Sequence, residues 1–194
     1  PGRVSLARHL SESGYDVWVL ELRGAGKSRR RLRVPPVPWS WTFEDYVQHD
    51  VPAALRLVRE LTGHSRLLWV GHSLGGMIAY ASLMTPAAES FAGVVTLGSP
   101  GMTDVGHEAI DRWIRLRRML KFAPARIPSR LVAWAAAPFA GVIASSFGNV
   151  VRDWFWHPDN IDLSVVRFMM RNGVEDLPSA LMIGSSSVTS ALSA

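Results

Sequence analysis

The chain contains no cysteine among its 194 residues. This absence excludes a disulfide framework and any chemistry that needs a thiolate, and it leaves the cellular compartment open. Charged residues are also few, at 19%, whereas hydrophobic residues make up 48%. That balance excludes an intrinsically disordered chain and fits one sizeable core, alone or with a small appended domain.

The sequence also lacks a visible signal peptide. It starts at Pro1, and no charged segment is followed by a short apolar one near the N-terminus. We therefore interpret it as a chain whose N-terminus was removed or as a piece of a longer protein. Its localisation stays open between a soluble and a peripheral protein.

One stretch without charged residues, residues 131–151, is long enough to span a bilayer. Arg130 and Arg152 flank it, and Pro138 and several small polar residues interrupt it. Hydropathy therefore favours buried or substrate-facing helices over a membrane span.

An excess of arginine gives the chain a formal net charge of +5. This modest value favours solubility and weak attraction to anionic surfaces, and no nucleic-acid partner is predicted from it. The segment Arg23–Ser28 resembles a phosphate-binding loop, but the pattern requires glycine at the position of Glu21. A tight turn explains Gly24 and Gly26 instead.

The most informative pattern is the apolar run 67–70, followed by Gly71-His72-Ser73-Leu74-Gly75 and an apolar, helix-compatible segment. This order is typical of a nucleophile elbow, a strand that turns sharply into a helix with serine at the tip. We predict that Gly71 and Gly75 are required because a side chain at either position would collide in so tight a turn. The N–H of Leu74 would then point to where an oxyanion forms. The alternative is a glycine-rich turn that happens to hold a serine.

Helical and apolar segments alternate through the first hundred residues. We predict helices over 4–10 and from Thr42 to Gly63, with Asp45 completing an imperfect capping box at Thr42. Buried strands are predicted over 17–20, 67–70 and 93–98. The alternation indicates an α/β fold with a parallel sheet.

The pattern changes after residue 101, where strand signals end. A helix is predicted over 107–122, and four prolines then divide the chain into short pieces rich in tryptophan and phenylalanine. We interpret this part of the chain as a helical insertion over the sheet. The serine-rich residues 182–194 are predicted to be a disordered tail.

Several segments together resemble the α/β-hydrolase superfamily in order and spacing. They are Gly14–Trp18, Arg23–Ser28 and the elbow at Ser73. Three further segments upstream of the elbow are similar to the acid-lipase branch: Trp41–Tyr46, Asp50–Ala53 and Thr62–Gly63. The resemblance covers about residues 3–103. It departs from the branch at Leu74, where glutamine is usual, and polyester synthases are similar around the elbow but usually carry cysteine at position 73.

The resemblance implies Ser73 as the nucleophile, Leu74 as an oxyanion-hole donor and a partial hydrolase sheet with helices on both faces. It also implies that residues 104–181 form a helical cap or lid over the active site, on a core formed by residues 1–103. In this superfamily the second donor precedes the first helix, and the catalytic acid and histidine follow the cap. The resemblance therefore implies a fragment without the N-terminal oxyanion loop and without the C-terminal strands that carry the acid and the histidine.

Within the chain, Asp104 and His157 are the candidate acid and base. Asp104 follows the third predicted strand, where some superfamily members place the acid; otherwise it caps the helix that starts at His107. His157, like His107, could approach the cleft, but neither follows a strand in triad order.

Three other histidines are not assigned to the catalytic site. His72 is adjacent to Ser73, but the elbow would turn its side chain away from the serine, which favours a packing role. His49 and His64 lie at the helix before the elbow strand and are interpreted as surface residues.

These features predict a serine hydrolase that cleaves carboxylic esters, of lipase or esterase type, without a metal or an organic cofactor. The substrate would be a small-molecule or lipid ester. A basic stripe in the cap, Arg112, Arg115 and Arg118, is interpreted either as a solvated helix face or as a peripheral membrane contact. With no visible triad, this chain is expected to be weakly active or inactive alone. The alternatives are a truncated or degenerate hydrolase domain without catalysis, and an acyltransferase or peptidase of the same fold.

Overall fold

A computed structural model describes residues 5–28, 38–99, 125–146 and 162–183. The chain divides into two compact units. One unit combines Pro1–Val19 with Ile127–Leu177, and the other combines Leu20–Arg126 with Pro178–Ala194. The predicted division into core, cap and tail stays a prediction.

The unit Leu20–Arg126 contains a long helical segment with a change of winding in the middle. It starts with α2 (Phe43–Asp45), continues as a π-helical turn over Tyr46–Asp50 and ends as α3 (Val51–Thr62). Pro52 has no N–H to donate to the preceding turn, which accounts for the wider turn before it. The predicted ends are confirmed, since the Asp45 carboxylate accepts the Thr42 N–H at 2.8 Å and Gly63 closes α3 with φ 74°.

Two parallel strands form the sheet of this unit. They are β1 (Leu67–His72) and β2 (Phe91–Leu97), joined by α4 (Leu74–Ser82) and a 3₁₀ turn over Pro86–Ser90. Their register pairs Leu68 with Gly93 and His72 with Leu97. The carboxyl ends of both strands therefore lie at the same edge, as in the predicted α/β fold.

The core of this unit lies between one face of the sheet and the helices. Its buried hydrophobic residues are Trp41, Phe43, Tyr46, Val47, Val51, Leu55, Ile78 and Phe91. On the strands, the partly buried Leu67 and Trp69 pack against this cluster, whereas Leu68 and Val70 are exposed. One face of the sheet is thus packed and the other is open.

The predicted strand over residues 17–20 is wrong. This segment has no regular secondary structure, and Trp18 and Val19 are exposed. A strand is defined by its hydrogen bonds to a neighbouring strand. In the described part of the chain no strand pairs with this segment, and its apolar side chains lie in solvent rather than between layers.

The unit that includes Ile127–Leu177 is helical. Its elements are α1 (Leu6–Glu12), α5 (Ser129–Ala136), a 3₁₀ turn over Ala137–Phe139, α6 (Ala140–Ser146) and α7 (Leu163–Asn172). Helix α7 packs against α5, the 3₁₀ turn and α6, and Val166 is buried there. The approach is close at Gly141, where a Cβ would lie 3.2 Å from a methyl group of Leu163.

The uncharged stretch that begins at residue 131 is divided by the 3₁₀ turn at Pro138 rather than continuous. Within the described ranges no helix has both the length and the apolar character needed to cross a membrane.

Two short strands follow the region where strand signals were predicted to end. These are β3 (Arg126–Ile127) and β4 (Leu177–Pro178), which pair in a separate two-stranded sheet, and α8 (Ser179–Ile183) follows. Two-residue strands leave no recognisable apolar alternation. The predicted helix over 107–122 and residues 184–194 lie outside the described residues.

Candidate active site

The predicted sharp turn is present at Ser73. Strand β1 ends at His72 and helix α4 starts at Leu74, so that Ser73 alone makes the connection. Its backbone has φ 50° and ψ −116°, and it is the one non-glycine residue with positive φ in the described part of the chain. Such a conformation costs about 1–3 kcal/mol and persists only where the surroundings impose it. The side chain is exposed, as a nucleophile at the tip of a turn requires.

Glycine is required before the turn at Gly71, as predicted, and after it at Gly76 instead of the predicted Gly75. A Cβ at Gly71 would lie 2.5–2.6 Å from the carbonyl carbon of Gly75 and the nitrogen of Gly76, which confirms the predicted collision. A Cβ at Gly75 would meet no atom within 4 Å, so the predicted requirement there is wrong. The second close approach is at Gly76, where a Cβ would lie 2.5 Å from the Cβ of Ser99.

Backbone hydrogen bonds hold the turn against the neighbouring strand and the helix. The Ser73 N–H donates to the Leu97 carbonyl at 3.0 Å, which continues the β1–β2 pairing into the turn. The Ser73 carbonyl accepts the N–H groups of Gly76 and Met77, at 3.0 and 3.2 Å. Leu74 is the first residue of α4, so its N–H is one of the first-turn donors that have no partner within the helix.

Two side-chain hydrogen bonds that were not predicted from the sequence connect the elbow and α4 to the strands. The indole N–H of Trp69 donates to the Gly75 carbonyl at 3.1 Å. The hydroxyls of Tyr80 on α4 and Thr96 on β2 lie 2.7 Å apart. Strand alternation places Trp69 on the packed face, and that alternation is the one signal in the sequence that could have indicated its role.

The Ser73 hydroxyl has no hydrogen-bond partner among the residues that the structure describes, the histidines in those ranges included. His72 is exposed rather than packed, and its Nε2 would lie 3.8 Å from a Cβ built at Gly98. His49 and His64 are exposed, as predicted for surface residues. His49 lies 3.9 Å from the carboxylate of Asp45, one turn earlier.

The candidate acid Asp104 and the candidate base His157 lie outside the described residues, as does His107. The structure therefore gives the geometry of Ser73 and Leu74 and tests none of the three. Within residues 5–28, 38–99, 125–146 and 162–183, no group of three or more histidine, aspartate or glutamate side chains could hold a metal ion.

The segment Arg23–Ser28 forms a tight loop that is held by hydrogen bonds to the carboxylates of Asp50 and Glu21. The Arg23 guanidinium donates to the Asp50 carboxylate at 2.7 and 2.9 Å, and its backbone N–H donates to the same group at 2.9 Å. Burial alone would lower the pKa of Arg23, but the hydrogen bond and negative charge of Asp50 outweigh it and raise this pKa. The Glu21 carboxylate accepts the Lys27 N–H at 2.8 Å and fills the space beside Gly26. A protein carboxylate thus lies where a phosphate-binding loop would need an open anion site.

The chain is similar to a known protein family and to several lipases. The model of the alpha/beta hydrolase fold family matches residues 3–160. Lipase member K of Homo sapiens is 39% identical over 84 residues, which is 42% of this chain and 21% of that protein. Gastric triacylglycerol lipase of Homo sapiens is 36% identical over 84 residues, with the same coverage of 42% and 21%.

A plant protein belongs to the same group. Triacylglycerol lipase 2 of Arabidopsis thaliana is 36% identical over 85 residues, covering 42% of this chain and 20% of that protein. The matched part thus spans about a fifth of the length of these curated relatives.

The family match extends over most of the chain and includes the strand, turn and helix around Ser73. The relatives confirm the resemblance to the lipase branch that the segments upstream of the elbow indicated. On these grounds the chain belongs to the α/β-hydrolase fold family.

Proposed function

We propose that the protein is a serine hydrolase of lipase or esterase type that cleaves carboxylic esters through an acyl-enzyme on Ser73. One observation carries the proposal: Ser73 is exposed, with φ 50°, between a strand packed on one face and the start of a helix. A strained serine in this position presents its hydroxyl to a substrate while the N–H of Leu74 faces the same space. The lipase relatives support an ester as the substrate.

The proposed reaction has two steps. The Ser73 oxygen attacks the ester carbonyl carbon while a histidine takes the hydroxyl proton, and the Leu74 N–H donates to the oxyanion. The tetrahedral intermediate then collapses, the C–O bond to the alcohol breaks, and the histidine returns the proton to the leaving alcohol. In the second step, water attacks the acyl-enzyme in the same way and releases the carboxylic acid and Ser73.

The proposed reaction requires a histidine as its general base. No described side chain hydrogen-bonds to the Ser73 hydroxyl, and we propose His157 as the base and Asp104 as the acid, both outside the described residues. Loss of the base costs about a million-fold in turnover in serine proteases, and loss of one oxyanion donor about 3 kcal/mol. We therefore expect this chain to hydrolyse esters weakly when it is isolated.

An assay with a short-chain p-nitrophenyl ester tests the proposal. We expect slow turnover by the chain, loss of that turnover in Ser73→Ala and no change in Ser40→Ala, a matched exposed serine outside the elbow. Loss of activity in His157→Ala with normal folding would support the proposed base. Turnover that persists unchanged in Ser73→Ala would contradict the assignment.

Two alternatives share the fold. A truncated or degenerate domain without catalysis would show the same turn but no Ser73-dependent turnover. An acyltransferase or peptidase would form the same acyl-enzyme, since the acceptor determines the outcome. Adding a primary alcohol or an amine to the assay identifies an acyltransferase, because such an enzyme would form the new ester or amide in place of the free acid.

We further propose a peripheral lipid contact through the helical unit, which rests on the lipid ester as substrate. On α5, Leu131, Val132 and Trp134 are 60–65% exposed, and Phe139 and Val142, which follow α5 in the chain, are 62% exposed. Aromatic and aliphatic side chains beside the exposed Arg130 suit the boundary of an anionic membrane.

Vesicle co-sedimentation tests this contact. Binding should be stronger to vesicles with anionic lipid than to neutral ones, and it should weaken in Trp134→Ser. Trp18→Ser, a control at another exposed tryptophan, should leave it unchanged. Equal binding by both variants would contradict the proposed surface.

A further inference from the structure

A cleft lies in the same unit as Ser73 but at the opposite end of the sheet. It has a volume of about 980 Å³ and is formed by α3, the turn before β1 and the 3₁₀ turn over Pro86–Ser90. Gly63–Ser65 line it at the amino end of β1, whereas Ser73 follows the carboxyl end. A six-residue strand separates them by about 17–20 Å at about 3.3 Å per residue. The cleft is therefore distinct from the candidate active site.

The wall of this cleft combines apolar and cationic groups. Val47 and Leu55 are buried side chains that contribute to its lining, and Ala87 adds a further apolar surface. Arg56 and Arg59 contribute the cations. Ligand sites typically combine an apolar wall with a few polar groups of this kind, at volumes of about 300–1,000 Å³.

The two arginines have free capacity to bind an anion. Arg59 donates from one nitrogen to the hydroxyl of Ser90 at 3.0 Å. Arg56 has neither an ion-pair nor a hydrogen-bond partner among the residues described. A guanidinium offers five N–H donors in a fork that fits a carboxylate, and most of these donors have no partner within the described ranges.

The charge balance selects the kind of anion. Glu60 is the one carboxylate among the lining residues of the described chain. Two arginines against one glutamate leave a single formal positive charge, with His64 counted as neutral. This balance favours a monovalent anion over a phosphate dianion, and the apolar wall favours a ligand with a hydrocarbon chain over a small inorganic ion.

We propose that this cleft binds a carboxylate amphiphile, with its head group at Arg56 and Arg59 and its hydrocarbon chain against Val47, Leu55 and Ala87. The site acts independently of Ser73. It does not depend on the proposed hydrolase activity, although the acid released from a lipid ester belongs to the same chemical class.

An NMR titration of the full chain with sodium octanoate tests the site. We expect saturable shifts at the backbone amides of Gly63, His64 and Ser65, unchanged in Ser73→Ala. Arg56→Gln should raise the dissociation constant about tenfold, because the charge-assisted hydrogen bonds are lost, and Arg56→Glu should raise it further. Arg167→Gln is the matched control, since Arg167 is exposed on α7 in the other unit.

Comparison ligands separate the two contributions to binding. Octanol lacks the charge and acetate lacks the chain, so each should bind at least about tenfold more weakly than octanoate. Inorganic phosphate should also bind more weakly. The proposal is overturned by an absence of octanoate binding, by shifts confined to the elbow, by equal affinity in Arg56→Gln and Arg167→Gln, or by equal affinity for octanol.

Discussion

At the scale of single residues, the elbow is a strained conformation that its neighbours impose. Ser73 adopts φ 50° because β1 and α4 leave it as the single connecting residue. Its N–H and its carbonyl are both used in hydrogen bonds, and the Trp69 indole holds the Gly75 carbonyl. The strain is therefore balanced by contacts that form only when the strand and the helix pack together.

Substitution of the two elbow glycines should change the stability by very different amounts. Gly71→Ala places a Cβ against the backbone of Gly75 and Gly76 and should lower the free energy of unfolding by about 1–3 kcal/mol or more. Gly75→Ala is the matched control. It meets open space near the start of α4 and should change the stability by less than about 1 kcal/mol. Urea unfolding of both variants checks this, and equal losses would contradict the close approach of Gly71 to the start of α4.

Tyr46 should make the stability depend on alkaline pH. Its phenol is buried and accepts the Trp41 indole N–H at 2.8 Å, and burial raises its pKa above 10 despite that hydrogen bond. The neutral form is favoured in the folded state. The corresponding stability is fully present below pH 10 and is lost as the pH rises through the folded pKa.

Urea unfolding at pH 8 and pH 11 tests this. The chain should lose stability between the two values, and Tyr46→Phe should lose less. The variant should also start about 1 kcal/mol lower at pH 8, because the indole N–H loses its acceptor. An equal pH dependence in both proteins would show that Tyr46 does not titrate as proposed.

The sequence predicted the elbow residues well because their geometry is local. Ser73, Leu74 and Gly71 follow from a pattern of five consecutive residues. The requirement at Gly76 could not be predicted, since it arises from Ser99, which the chain brings close only after α4 and β2 have formed. The predicted collision at Gly75 was wrong for a related reason. The sequence does not show which atoms surround that position, and no atom lies within 4 Å of a Cβ built there.

At the scale of helices and strands, the ends of a helix depend on residues close in sequence, whereas the formation of a strand depends on a partner far away in the chain. The helix ends at Thr42 and Gly63 were predicted because the capping groups lie within three residues of each end. The strand over 17–20 was predicted wrongly because its apolar run does not say whether a hydrogen-bonding neighbour exists. The π-helical turn before Pro52 also escaped prediction, since it adjusts two helical segments to one another.

The start of α7 gives a prediction at this scale. Asp162 is the N-cap, and its side chain accepts the Ser164 N–H at 2.7 Å, which lowers the pKa of this carboxylate. The stabilisation is therefore present above the unfolded pKa of about 3.9 and is lost as the pH falls through the lower folded value.

Asp162→Ala should reduce the melting temperature at pH 7 and should make no difference near pH 2. Asp16→Ala, at an exposed aspartate without a capping role, is the control. Melting curves followed by circular dichroism at 222 nm measure both variants. A deficit in Asp162→Ala that persists at pH 2 would contradict a role for the ionised cap.

At the scale of the whole molecule, the outer face of the sheet is the most unusual feature. Parallel sheets are normally covered on both faces, yet Leu68, Val70, Val95 and Leu97 are exposed here. Sequence alone could not show this, because continuous apolar strands predict cover on both faces. The curated relatives are about five times longer than the part matched here.

This face should bind a hydrophobic dye. We expect the chain to enhance the fluorescence of anilinonaphthalene sulfonate, and Val95→Lys should reduce that enhancement by about half because it places a charge within the patch. Leu61→Lys, at an exposed leucine of α3, is the control and should have less effect. Equal effects of the two variants would contradict a continuous apolar patch on the sheet.

The most direct test of the central claim is to map covalent labelling by a fluorophosphonate probe with mass spectrometry. Even without a base, an oxyanion donor and a bound substrate leave residual rate enhancement in serine proteases. Ser73 should be labelled faster than other exposed serines such as Ser40, and Ser73→Ala should remove this labelling. Labelling of Ser73 no faster than that of Ser40 would contradict the claim that the elbow activates its hydroxyl.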